Sequence, residues 1–149
     1  MECRWQGHAG PASIIARGTA ILVHGRADTL IPVSFNSRSY IAHNLLREPK
    51  ANNVRYIEVT NAQHFEAFLP FPGSNTSFIP LHVYFIGTMN AMWDHLLSGA
   101  ALPPSQLVRT TTRPTALTAL AAENIPPISA SLAAGDRITF DGNTLVIPD

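Results

Sequence analysis

Hydrophobic positions along the chain fall into runs and stripes whose period changes from segment to segment. The first run, Gly18 to His24, is contiguous and uncharged at Ile21, Leu22 and Val23, the pattern of a parallel strand covered on both faces. Gly25 breaks it, and Gly25-Arg-Ala-Asp28 reads as a turn. Pro32 and Ser34 then open a helix to about Leu46, with Ser34 or Asn36 as cap and Tyr40, Ile41 and Leu45 at helical spacing. Glu48 to Asn53 is a loop by composition. Val54 to Val59 alternates enough to be a strand near a sheet edge. A parallel return needs a crossover of this length, so the segment predicts a right-handed βαβ unit.

Beyond Thr60-Asn-Ala-Gln-His64, a loop carries Phe65, Phe68, Leu69 and Phe71 among Pro70 and Pro72. Pro80 starts the longest helix, Leu81 to Leu97. Leu81, Phe85, Met89, Met92 and Leu96 form one stripe, which reads as core packing, and Gly99 is placed as the stop. From 102 to 134 the chain turns rich in Pro, Thr and Ala without amphipathic period, as in an extended or partly disordered connector. Asp141-Gly142 between β-prone runs signals a hairpin. The expected divisions are an irregular lead-in at 1–17, an α/β unit at 18–101, the connector at 102–134 and the hairpin at 135–149.

Composition removes several functions. Ten basic and ten acidic residues in 149 give a formal charge of zero, against the clustered basic face of a nucleic-acid partner. No run approaches the roughly 18 apolar residues of a membrane span. The single Cys3 fixes no redox compartment, and the first dozen residues lack the apolar core of a signal peptide. Among six histidines, His43, His82 and His95 fall on predicted helices without a His-x-x-x-His pair, so neither a metal site nor a cofactor is expected.

Asp28 and His64 each follow a predicted parallel strand, at the carboxyl edge where open α/β sheets place their working residues. There a carboxylate can accept from one imidazole nitrogen, fix the tautomer and stabilise the imidazolium formed when the other nitrogen takes a proton. Either residue alone is more simply a turn residue or a polar strand end. As a pair in the order acid then base, they are candidate catalytic residues. Phe65 and Phe68 make an apolar wall beside the base.

The words His24-Gly-Arg-Ala-Asp-Thr-Leu-Ile-Pro32 and Asn61-Ala-Gln-His64-Phe65, with Pro80-Leu-His-Val-Tyr-Phe-Ile86 and Gly99-Ala-Ala-Leu-Pro-Pro-Ser-Gln106, resemble the hydrolases of 3-hydroxybutyrate oligomers, which are α/β-hydrolase esterases. The likeness covers nearly all the chain after the first dozen residues. It implies the C-terminal portion of an α/β-hydrolase fold with a terminal β-hairpin, Asp28 as acid, His64 as base and a small ester as substrate. It also implies an extracellular or periplasmic location. Hydroxybutyrate oligomers end in a carboxylate, so Arg26, with His24 beside it, is a candidate substrate contact; the other role for both is to brace the turn.

The resemblance implies a serine elbow before the acid, and none is present. Ser13 is the only serine before Asp28, it lacks flanking glycines, and no Gly-x-Ser-x-Gly occurs anywhere. The chain therefore reads as the last third or less of a larger esterase, inactive alone, whose partner is the missing N-terminal portion or a second copy. The alternatives are a non-catalytic fragment or interaction module and a tannase- or feruloyl-esterase-like hydrolase.

Overall fold

A computed structural model of the chain describes residues 2–3, 18–49 and 53–149. In chain order its elements are β1 (Glu2–Cys3), β2 (Thr19–Gly25), α1 (Ser37–Arg47), β3 (Asn53–Val59), the one-turn α2 (Ser74–Ser77), the long α3 (His82–Ser98), β4 (Gln106–Val108), β5 (Thr139–Phe140) and β6 (Leu145–Val146). The protein is α/β. Strands β2, β3 and β4 form a parallel sheet in that order, and β1, β6 and β5 a small antiparallel one. Of the expected lead-in, residues 1 and 4–17, including Ser13, lie outside the described residues, whereas Glu2 and Cys3 pair with Val146 and Leu145.

Side-chain alternation along β3 explains the two cores. Val54 and Tyr56 pack on one face with Ile41 and Ala42 of α1 and with Ile138, Leu145 and Ile147 around the hairpin. Ile57 and Val59 face the other way, against Ala62, Ile79, Tyr84 and Val108. β3 pairs with β2 from Thr19↔Asn53 to Gly25↔Val59 and with β4 from Ile57↔Gln106 to Val59↔Val108. It is thus the central strand, not one near the edge. Arg55 and Glu58 gave it the alternation of a half-wetted strand, yet Glu58 is fully buried among cations.

β4 also corrects the connector. Inside 102–134, Gln106, Leu107 and Val108 are buried, and the Gln106 amide donates to Pro104 O at 3.0 Å and Ser129 O at 2.9 Å while accepting from Ser129 N at 2.9 Å. A short strand can sit in a Pro-rich stretch because its partner strand supplies the pairing. α1 begins after a 3-10 turn at Val33–Phe35, and neither Ser34 nor Asn36 caps it with a side-chain bond. Gly99 ends α3 in the left-handed region, φ 72°, its N–H donating to His95 O. At the hairpin Gly142 has φ 100°, and Asp141 Oδ1 accepts from Asn143 N at 2.9 Å and Thr144 N at 2.7 Å.

The stripe along α3 is core only in part: Leu81, just before the helix, packs on the Ile57–Val59 core, and Met92 is half-buried. Phe85, Met89 and Leu96 are exposed, joined by Trp93, and only Tyr84 and Thr88 of the helix are buried. No helix among the described residues is long and apolar enough to cross a membrane.

Candidate active site

The turn after β2 and the loop after β3 are knitted together at one sheet edge. Arg26 N donates to Val59 O at 2.7 Å and Ala27 N to Ala62 O at 3.0 Å. A Cβ on Gly25 would lie 2.2 Å from Ala62 O and 2.7 Å from Gln63 N, so this approach requires glycine. Asn61 turns the base loop through φ 53°, a left-handed conformation that asparagine tolerates. Its side chain donates to Thr110 O at 2.9 Å and its carbonyl accepts from Ile79 N at 2.8 Å. Thr110 Oγ1 donates to Thr60 O at 2.6 Å, and Thr110 N donates to Thr60 Oγ1 at 2.8 Å. The chain leaving β4 thereby fixes the loop that carries His64.

On this frame Asp28 Oδ2 and His64 Nδ1 are in hydrogen-bond contact. Asp28 is buried, and its Oδ1 accepts from Leu30 N at 3.1 Å and Ile31 N at 2.9 Å. Burial works against the carboxylate. The Ile31 amide, the hydrogen bond and charge of His64, and the Leu30 amide together outweigh burial and hold the carboxyl below its ordinary range. With Nδ1 committed to Asp28, Nε2 is the nitrogen left for proton exchange. The His64 side chain is 33% exposed and lines a cavity of about 260 Å³ with Val23, Glu66, Leu81, His82 and Phe85. The Glu66 carboxylate accepts from His82 N, tying this loop to the start of α3 where negative charge is favourable.

The other sequence candidates divide. The Phe65 ring lies against His64, centroids 3.9 Å apart, and Phe68 follows at 5.2 Å from Phe65 in an exposed aromatic row. Arg26 is placed elsewhere: its Nε pairs with Glu58 and its Nη2 donates to Pro148 O at 2.7 Å. His24 braces the acid turn, with Nδ1 2.7 Å from Ser37 Oγ and Nε2 donating to Ile31 O at 2.9 Å.

Sequence reasoning missed the cluster behind the turn. Glu58 is fully buried; burial opposes its charge, but Arg38, Tyr56 and Arg26 outweigh that and keep it below the usual carboxylate range. The Tyr56 hydroxyl is pushed up, first by burial and then by the Glu58 charge beside it. The available signal was a glutamate set between the apolar Ile57 and Val59, a residue that must find a cation if buried. Thr110 had no signal, because β4 itself was unread. Among the described residues, no group of three His, Cys, Asp or Glu is arranged to hold a metal ion.

The fold is thus that of an α/β protein with a carboxylate–imidazole pair at the carboxyl edge of its parallel sheet, an arrangement that can serve general acid–base chemistry. The family model described as 3HB-oligomer hydrolase matches residues 12–149, and the chain belongs to this family. It is 52% identical over 136 residues to a D-(-)-3-hydroxybutyrate oligomer hydrolase of Azoarcus sp. (strain BH72), covering 87% of this chain and 20% of that protein. Proteins of the same name from Polaromonas naphthalenivorans (strain CJ2) and Burkholderia thailandensis (strain ATCC 700388 / DSM 13276 / CCUG 48851 / CIP 106301 / E264) are 51% and 45% identical. They cover 87% and 92% of the chain and 19% and 20% of their own lengths. The chain thus spans about a fifth of the length of these curated relatives. No solved structure matches it.

Proposed function

We propose that the chain supplies the acid and base of an α/β-hydrolase-type esterase that cleaves 3-hydroxybutyrate oligomers by a Ser-His-Asp mechanism. The contact between Asp28 and His64 carries the reading. The substrate class follows the names of the relatives. The nucleophile is a serine outside this chain, a placement supported by the absence of a Gly-x-Ser-x-Gly here and by the small share of the relatives that the chain spans. The serine oxygen attacks the ester carbonyl as its proton passes to His64 Nε2, and Asp28 stabilises the imidazolium. Collapse of the tetrahedral intermediate breaks the ester C–O bond, and the proton on Nε2 goes to the departing alkoxide oxygen, which leaves as the alcohol. Water then attacks the acyl-serine by the same relay and releases the acid. Phe65 and Phe68 form the apolar wall for the substrate chain, while Arg26 steadies the acid turn through Glu58. The location belonging to this reading is extracellular or periplasmic.

The test is Asp28→Asn and His64→Ala in the intact hydrolase. Turnover of a 3-hydroxybutyrate dimer is expected to fall by about four orders of magnitude in Asp28→Asn, because an asparagine favours the wrong imidazole tautomer, and at least as far in His64→Ala, which removes the base, with KM little changed in both. Turnover within a few-fold of the parent sinks the assignment. The exposed row of Phe65, Phe68 and Phe71 favours a second reading, a non-catalytic interaction module. In that case Asp28→Asn is silent.

A further inference from the structure

We propose that His24 is a positioning residue for the Asp28 carboxylate, clamping Ile31 so that its amide aims the acid at His64. The proposal rests on the acid–base reading of Asp28 and His64. Ile31 is gripped at both ends: its N–H donates to Asp28 Oδ1 at 2.9 Å, and its carbonyl accepts from His24 Nε2 at 2.9 Å. A carbonyl only accepts, so Nε2 carries the hydrogen toward Ile31, and Nδ1 lies 2.7 Å from Ser37 Oγ. Ser37 Oγ lies 2.8 Å from the Tyr56 hydroxyl, which donates to Glu58 Oε2 at 2.8 Å. Arg38 fixes that carboxylate through Nε at 2.9 Å and Nη2 at 2.6 Å. The clamp is thus anchored in the buried centre of the sheet.

Packing holds this segment weakly, since Leu30 and Ile31 are 66% and 40% exposed, and besides the clamp the Leu30 amide ties it to Asp28. His24 Nε2 is 3.6 Å from Asp28 Oδ2, beyond hydrogen-bond reach, so its hydrogen bonding reaches the acid through Ile31, and the uncharged His24→Gln separates this from a direct effect of ring charge. Release of the Ile31 amide leaves Oδ1 with the longer Leu30 bond alone, 3.1 Å, which loosens rotation about Cβ–Cγ and the aim of Oδ2 at His64 Nδ1.

The experiment compares variants of the intact hydrolase on a 3-hydroxybutyrate dimer. His24→Phe is expected to lower kcat about tenfold to a hundredfold with KM within about twofold, the scale of a small misplacement of a reacting group. His24→Gln, whose amide can donate to Ile31 O, should recover most of the loss. Parent-like kcat in His24→Phe, or a His24→Gln no faster than it, overturns the proposal. If His24→Phe does not fold, Ser37→Ala decides: a fall in kcat of about threefold or more at constant KM supports the clamp, and an unchanged kcat overturns it. Asp28→Asn run in parallel separates the two claims. If it is crippled while His24→Phe is parent-like, only the clamp fails; if it is silent, the acid–base reading fails and takes the clamp with it.

Discussion

At the scale of single residues, the site depends on keeping Asp28 ionised while buried. Two amides and an imidazole accomplish this, and the balance has a sign that can be measured. The folded carboxyl titrates below its ordinary value of 3.8, whereas the unfolded one does not. Stability from this group is therefore complete above about pH 3.8 and is lost as pH falls through the depressed folded value. Removing the imidazole removes part of that depression. In His64→Ala, the Asp28 carboxyl should titrate at higher pH than in the parent, followed by its side-chain carbon resonance. An unchanged or lower midpoint contradicts the pairing. Glu58 shows how a residue's type can conceal its place. Nothing near it in sequence reveals that Arg38, on the preceding helix, and Arg26, in the acid turn, converge on it.

At the scale of elements, the position of the acid relative to the base is set by one backbone crossing, Gly25 against the Ala62–Gln63 peptide. A methyl group there meets backbone, which cannot rotate away as a side chain can. Gly25→Ala is expected to cost about 3 kcal/mol, read from the denaturant midpoint of the intact hydrolase, and to lower kcat because the two loops must separate. A variant with parent stability and turnover would show that the crossing is not needed. The glycine was legible as a strand stop, but the peptide it must admit was not. β2, α1, α3 with its Gly99 stop, and the hairpin followed from period and turn chemistry, which act within a few residues. β4 did not, because three residues next to two prolines become a strand only through pairing with β3. The α3 stripe had the correct period, yet amphipathic spacing reveals which face wants cover and not whether this chain provides it.

At the scale of the molecule, two unfinished features adjoin each other. β2 pairs only with β3, leaving its other edge open among the described residues. α3 lies over β2, where Ile21, Val23, Phe85, Thr88, Met89 and Met92 line a cavity of about 290 Å³. Outward from it, Trp93 is 62% and Leu96 70% exposed. An open strand edge beside an apolar helix face is a surface that proteins normally cover. We propose that the remainder of a larger hydrolase covers it, in keeping with relatives of which this chain spans a fifth. The 149-residue chain expressed alone should then satisfy the same surface with copies of itself. Sedimentation velocity over a concentration series should give a rising average mass, and Trp93→Glu with Leu96→Lys should shift the distribution toward monomer. Adding the separately produced remainder should compete for this face and replace the self-associated species with a one-to-one complex. A monomer at all concentrations with a sharp cooperative unfolding transition would mean that α3 and β2 need no cover. Self-association that persists in the presence of the remainder would assign the face to a second copy instead.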